Sequence, residues 1–130
     1  MEMTLTGNRF PLAALSIIAV MGAGLIPSRG HAADSGATLF SRYCFACHAV
    51  EPGRNKLGPS LHGVVGRAAA TVPSFLYSRA LRGAGPVWTE DTLNAFLTSP
   101  RTLVPGTTMM IKGVPDPAER ATLIEYLKAN

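Results

Sequence analysis

At 130 residues, 47% hydrophobic and 15% charged, the chain has room for one small core and is too apolar to be disordered. Two cysteines exclude a disulfide-dense scaffold. The formal charge of +4 comes from basic residues scattered among acids, without the clustered footprint of a nucleic-acid binder, and so mild a basicity favours acidic protein partners.

The N-terminus reads as an export address. Arg9 is a lone positive charge ahead of Phe10 to Ile26, a run whose one polar side chain is Ser16. Gly30 and Ala32 place small residues three and one positions before a cut after Ala32. An uncleaved anchor is the alternative, but a spanning helix needs about 20 apolar residues, and this run is shorter and interrupted by Pro11, Gly22 and Gly24. The expected organisation is a cleaved signal peptide over 1–32 and one domain over 33–130, exported to the periplasm, with the membrane involved only if the leader stays. Arg9, Arg29 and Glu2 would leave with the leader, so that of 12 basic and 8 acidic residues ten and seven remain, a charge of +3.

Beyond the leader, Ser35 is placed to cap a helix in which Phe40, Tyr43, Cys44 and Cys47 share one face, which predicts both cysteines on a buried stripe. From His48 to Val72 no periodicity persists; Gly53, Gly58, Gly63 and Gly66 with Pro52 and Pro59 predict a long loop wrapped around something. Ser74 is read as the cap of a short helix through Arg82, ended by Gly83. Thr89 begins another, with Glu90 and Asp91 in its first turn and Leu93, Phe96 and Leu97 inward, running to Ser99 before Pro100. Leu103 to Val114 is irregular. Asp116, Pro117 and Glu119 then supply a cap, a first-turn proline and an acid for a last helix with Leu123, Ile124 and Leu127 inward. No strand alternation appears, so the expected class is all-α.

Cys44-Phe45-Ala46-Cys47-His48 carries the chemistry. Two thiols a turn apart can form thioethers to the two vinyl groups of haem, and the adjacent imidazole can then reach the iron. Other uses of the pair meet obstacles. A thioredoxin-like dithiol wants a βαβ setting that a strandless chain lacks. Zinc needs four ligands, and His62 is the one candidate besides these three. A structural disulfide leaves His48 unexplained. One covalent haem c would also give the irregular stretches an apolar centre to wrap. A second axial ligand must come from elsewhere. Met109 and Met110, after Pro105-Gly106-Thr107-Thr108, offer the thioether suited to an electron carrier of raised potential, while His62 would make a bis-histidine site.

These residues resemble a class I cytochrome c of the mitochondrial and small bacterial type over nearly all of residues 36 to 129. The resemblance implies the class I cytochrome c fold, short helices and long loops around one haem, with Gly36 and Phe40 crossing a last helix at Leu123, Tyr126 and Leu127. It implies that Pro59, within Lys56-Leu57-Gly58-Pro59-Ser60-Leu61-His62-Gly63, accepts a hydrogen bond from the haem-ligating His48. Tyr77 and Trp88 would donate to a haem propionate, with Arg67 near the same group, and the Pro105–Met109 loop selects Met109 over Met110. Two positions depart from the pattern: Leu81 stands where the family commonly has Asn, and Phe96 where it has Tyr. Few lysines ring the expected haem edge, where Arg42, Arg54, Lys56, Arg101 and Lys112 are the equivalents by location.

The implied function is a monomeric one-electron carrier, not an enzyme, shuttling between redox proteins such as a quinol-oxidising complex, a terminal oxidase or a dehydrogenase. A five-coordinate haem enzyme or gas sensor, or the dedicated electron-accepting subunit of a dehydrogenase, is the alternative.

Overall fold

The computed structural model describes residues 34–130; the leader assigned to 1–32 lies outside the described residues. Ser35, in extended backbone, accepts a hydrogen bond from the Thr38 amide and starts α1, Gly36–Tyr43. The helix stops sooner than the stripe of apolar residues suggested. The amides of Cys44 and Phe45 both donate to the Phe40 carbonyl (2.8 and 2.9 Å), and those of Cys47 and His48 both donate to the Cys44 carbonyl (3.0 and 2.8 Å). The cysteines therefore sit on consecutive turns after the helix, Cys44 buried and Cys47 partly exposed, rather than together on a helical face.

Residues 48–72 hold no helix, as expected, and Ala68 and Val87 form an isolated antiparallel bridge, which is the nearest thing to a strand among the described residues. Ser74 does not cap a helix. Its φ of 59° puts it in the left-handed region, in a turn, and Ser78 caps instead, accepting from the Leu81 amide, so α2 runs Arg79–Ala84 and continues through Gly83. α3, Glu90–Thr98, begins at Thr89 as predicted, with its side chain accepting from Thr92. A single further turn, α4, Pro100–Leu103, comes at once; a proline's fixed φ and missing N–H suit a first helical position, so Pro100 ends one helix and opens the next. α5, Pro117–Lys128, has Asp116 accepting from the amides of Ala118 and Glu119.

α1 and α5 cross where Gly36 faces Tyr126. A Cβ on Gly36 would stand 2.4 Å from Tyr126 Cβ and 3.1 Å from the Thr122 carbonyl oxygen, so only glycine permits the approach. Phe40 packs on Tyr126 with ring centroids 5.6 Å apart. Leu39, Phe40, Leu123, Ile124 and Leu127 are buried there, each large side chain contributing about 1.5–3 kcal/mol by leaving water. Leu93, Phe96 and Leu97 extend the same core from α3. Arg42 bridges Asp34 and Glu119 (2.6 and 2.8 Å), and the Tyr43 hydroxyl donates to Glu119 (2.7 Å); exposed pairs of this kind contribute little individually. Among the described residues no helix is long and apolar enough to cross a membrane.

Candidate functional site

The loops and helices enclose a cavity of about 420 Å³, within the range of small-molecule sites. The turn after α1 brings Cys44, Cys47 and His48 to it; the long loop brings Gly58, Pro59 and Arg67; α3 brings Leu93, Phe96 and Leu97; and the last irregular segment brings Met109.

His48 is held from two sides. Its Nδ1–H donates to the Pro59 carbonyl at 2.8 Å, which leaves Nε2 as the nitrogen free to bind a metal and makes the ring a better donor. The opposite constraint comes from Gly58, where an added Cβ would lie 2.2 Å from His48 Cε1 and within 2.7 Å of both ring nitrogens. The Gly58 amide donates to the Cys47 carbonyl at 2.7 Å, so the glycine backbone is stitched to the motif it packs on. Burial pushes the His48 imidazolium down, the Pro59 bond opposing this and the Lys56 charge reinforcing it; neutral imidazole is the ligating form. Burial, with the neighbouring Cys47, pushes the free Cys44 thiol up to about 12, so before any attachment it is neutral at physiological pH.

The loop carrying Pro59 is fixed by its own side chains. Ser60 donates through Oγ to the Glu51 carbonyl (2.7 Å), and its amide donates to Asn55 Oδ1 (2.9 Å). Arg67 donates to the carbonyls of His62 (2.6 Å) and Ser60 (3.0 Å), and its own carbonyl accepts from the Trp88 amide (2.8 Å). Arg67, Tyr77 and Trp88 all line the cavity. The Tyr77 oxygen also accepts from the Val72 amide (3.2 Å).

The three candidates for a second ligand differ in burial and in place. Met109 is half-buried and packs against the core at the cavity. Met110 also borders the cavity but is 79% exposed, its sulfur near Arg101 Nη2 (3.8 Å). His62 is exposed and lines a second, smaller hollow with Arg67 and Thr71, not the main cavity. Leu81 and Phe96 both line the main cavity, and Phe96 stacks obliquely on Trp88 at 4.8 Å, so an apolar wall stands where the family pattern is polar. Among the described residues no three His, Cys, Asp or Glu side chains group as a metal site, which leaves a zinc reading without its ligand set.

Sequence reasoning named Gly58 only as part of a motif and missed it as a site residue. Its position directly before Pro59 was the available signal, since Pro59 must reach His48 while the chain passes against the ring.

Two thiols beside an apolar cavity, an oriented imidazole and a thioether within the same cavity fit the donors and shape that a covalent haem requires. No family model matches the chain. Known proteins do. The chain is 47% identical over 93 residues to cytochrome c2 of Rhodopila globiformis, a match spanning 72% of this chain and 88% of that protein. It is 42% identical over 95 residues to cytochrome c type-1 of Ascaris suum, spanning 73% and 85%. The solved structure of cytochrome cH from Methylobacterium extorquens superposes with a TM-score of 0.69 at 38% identity, covering 73% of this chain and 95% of that one.

Proposed function

Because the chain belongs to the class I cytochrome c family, whose members carry electrons on covalent haem c and are not enzymes, we propose that it is a periplasmic carrier ligated by His48 and Met109. The observation that carries the ligand assignment is the pairing of an imidazole fixed by Pro59 and Gly58 with a half-buried Met109 in one cavity. Haem, attached through Cys44 and Cys47, supplies the one-electron ferric–ferrous couple.

The residues of the chain do the rest. Coordination by both His48 and Met109 would leave a bound iron no open position for a substrate, so a carrier fits better than a haem enzyme or gas sensor. Leu81, Phe96, Leu93 and Trp88 exclude water from the cavity and so limit the reorganisation that accompanies a change of charge. Tyr77 and Trp88 are the donors we assign to a propionate, with Arg67 near the same group.

The cationic face is smaller than the sequence suggested. Arg42 is paired with Asp34 and Glu119, and Arg54 with Glu51. Lys56 sits 4.2 Å over the Phe45 ring and donates to the Phe45 and His48 carbonyls. Lys56, Arg101 and Lys112 therefore remain to steer an acidic partner, beside the exposed apolar side chains of Phe45, Leu57 and Met110. We expect membranes supplied with quinol to reduce the protein and a terminal oxidase to reoxidise it, with rates that fall by about twofold to fivefold as salt rises from low to physiological strength. Absence of both reactions would overturn the carrier role; salt-independent rates would overturn the charged patch alone.

For residues 1–32 we keep the reading of a cleaved leader. A cut after Ala32 would leave intact the Asp34–Arg42 ion pair and the Ser35 cap of α1. The mass of the native protein should correspond to a chain beginning at Ala33 plus one haem. A retained Met1 in the membrane fraction would show an anchor instead.

A further inference from the structure

Arg120, in the first turn of α5, is 9% exposed, and among the described residues no carboxylate pairs with it. A guanidinium that leaves water without a counter-ion needs its donors filled by other oxygens. Here they come from two separate elements. Nε donates to Asn94 Oδ1 on α3 at 2.9 Å, and Nη1 donates to the carbonyls of Val114 (2.8 Å) and Pro115 (3.0 Å).

Val114 is the far end of the segment that carries Met109. It is fully buried, its amide donates to the Leu97 carbonyl at 2.8 Å, and the preceding Gly113, at φ 126°, lies so close to α3 that a Cβ would meet the Thr98 carbonyl oxygen at 2.2 Å. The near end is Val104, 1% exposed, whose amide donates to the Pro100 carbonyl. Between these ends no residue is buried; the hydrogen bonds there are those of the Thr107 amide to the Val104 carbonyl and the Met109 amide to Thr107 Oγ1, with a weak contact of Arg101 Nη2 to the exposed Met110 sulfur. A stretch with so few contacts opens at its anchors.

We infer that Arg120 is a positioning residue that clamps the Val114 end of this segment and thereby sets how readily Met109 leaves the iron. The inference rests on the reading of Met109 as the ligand. Arginine is required because its rigid fork reaches α3 and the segment's carbonyls at once, whereas a lysine ammonium can satisfy one side only.

The test compares Arg120→Lys and Asn94→Ala with Phe40→Leu, which weakens the α1–α5 crossing without touching the segment. Two readouts are taken on the haem-loaded protein at fixed pH: amide hydrogen exchange at Val114, and the rate at which imidazole binds ferric protein, which requires Met109 to leave. Losing hydrogen bonds to a charged donor should speed both by about tenfold in Arg120→Lys, and by about threefold in Asn94→Ala, which keeps two of the three bonds. Phe40→Leu should lower the melting temperature at least as much and change neither rate by more than about twofold. Exchange at Val114 unchanged in Arg120→Lys, or accelerated equally in Phe40→Leu, would overturn the clamp. A ferric wild-type protein lacking the iron–sulfur band would instead overturn the ligand assignment, and with it the link from Arg120 to Met109.

Discussion

Met109→Ala is expected to abolish the weak long-wavelength iron–sulfur band of the ferric protein and to open the iron to imidazole and cyanide, while Met110→Ala does neither. The two residues are adjacent and both border the cavity, but they differ in burial. Met109 is half-buried at the cavity and packed on the core, whereas Met110 is 79% exposed and has Arg101 as its polar neighbour. An internal thioether must leave before an external ligand enters, so a competent open state populated at about 1% would tax apparent affinity by about a hundredfold, and removing Met109 removes that tax. Titration of ferric protein with imidazole measures it directly. If Met110→Ala gave the loss of band, the segment would be in use one residue out of the register described. A spectrum unchanged in both variants would send the search for the ligand elsewhere, although His62 stands outside the cavity.

The features legible in the sequence are those that act locally. The thiols and imidazole of Cys44, Cys47 and His48 announce their chemistry by spacing alone. Thr89 and Asp116 announce helix starts because a cap bonds an amide within three residues. The apolar positions Leu123, Ile124 and Leu127 announce a buried face by period. The structure departs from the sequence pattern where backbone geometry or a residue far along the chain overrides a local cue. Cys44 and Cys47 fit the stripe of α1, yet the double use of the Phe40 and Cys44 carbonyls tightens the chain into turns there. Ser74 and Ser78 are equally good caps by residue type, and only a positive φ at Ser74 decides between them. Arg42 looked like part of a docking face, but the crossing of α1 and α5 brings Glu119 to it from 77 positions away. Arg120 carries no local signal, because an arginine in a first turn reads as a solvated charge; only the fold shows the carbonyls it serves.

Gly58→Ala should be among the most damaging of the single-methyl changes available to this chain. A Cβ placed 2.2 Å from His48 Cε1 cannot be tolerated in place, and neither neighbour yields easily. The ring is tied to Pro59 through Nδ1, and the Gly58 backbone is tied to the Cys47 carbonyl at 2.7 Å. Either the imidazole tilts and weakens its bond to Pro59, or the loop withdraws and strains the bonds that Ser60 makes to Asn55 and Glu51. Overpacking of this kind costs about 2 kcal/mol, or roughly 10 °C in melting temperature for a domain of this size. The redox potential should move as well. A weakened Nδ1–H bond makes the imidazole a poorer electron donor, which favours ferrous iron and raises the potential. Gly83→Ala is the matched control: it lies within α2 with nothing within 4 Å of the added carbon, so it should stabilise the protein by about 0.5–1 kcal/mol and leave the potential alone. A Gly58→Ala protein that melted and titrated like the parent would mean that the ring does not press on this glycine, and the account of how His48 is aimed would fall with it.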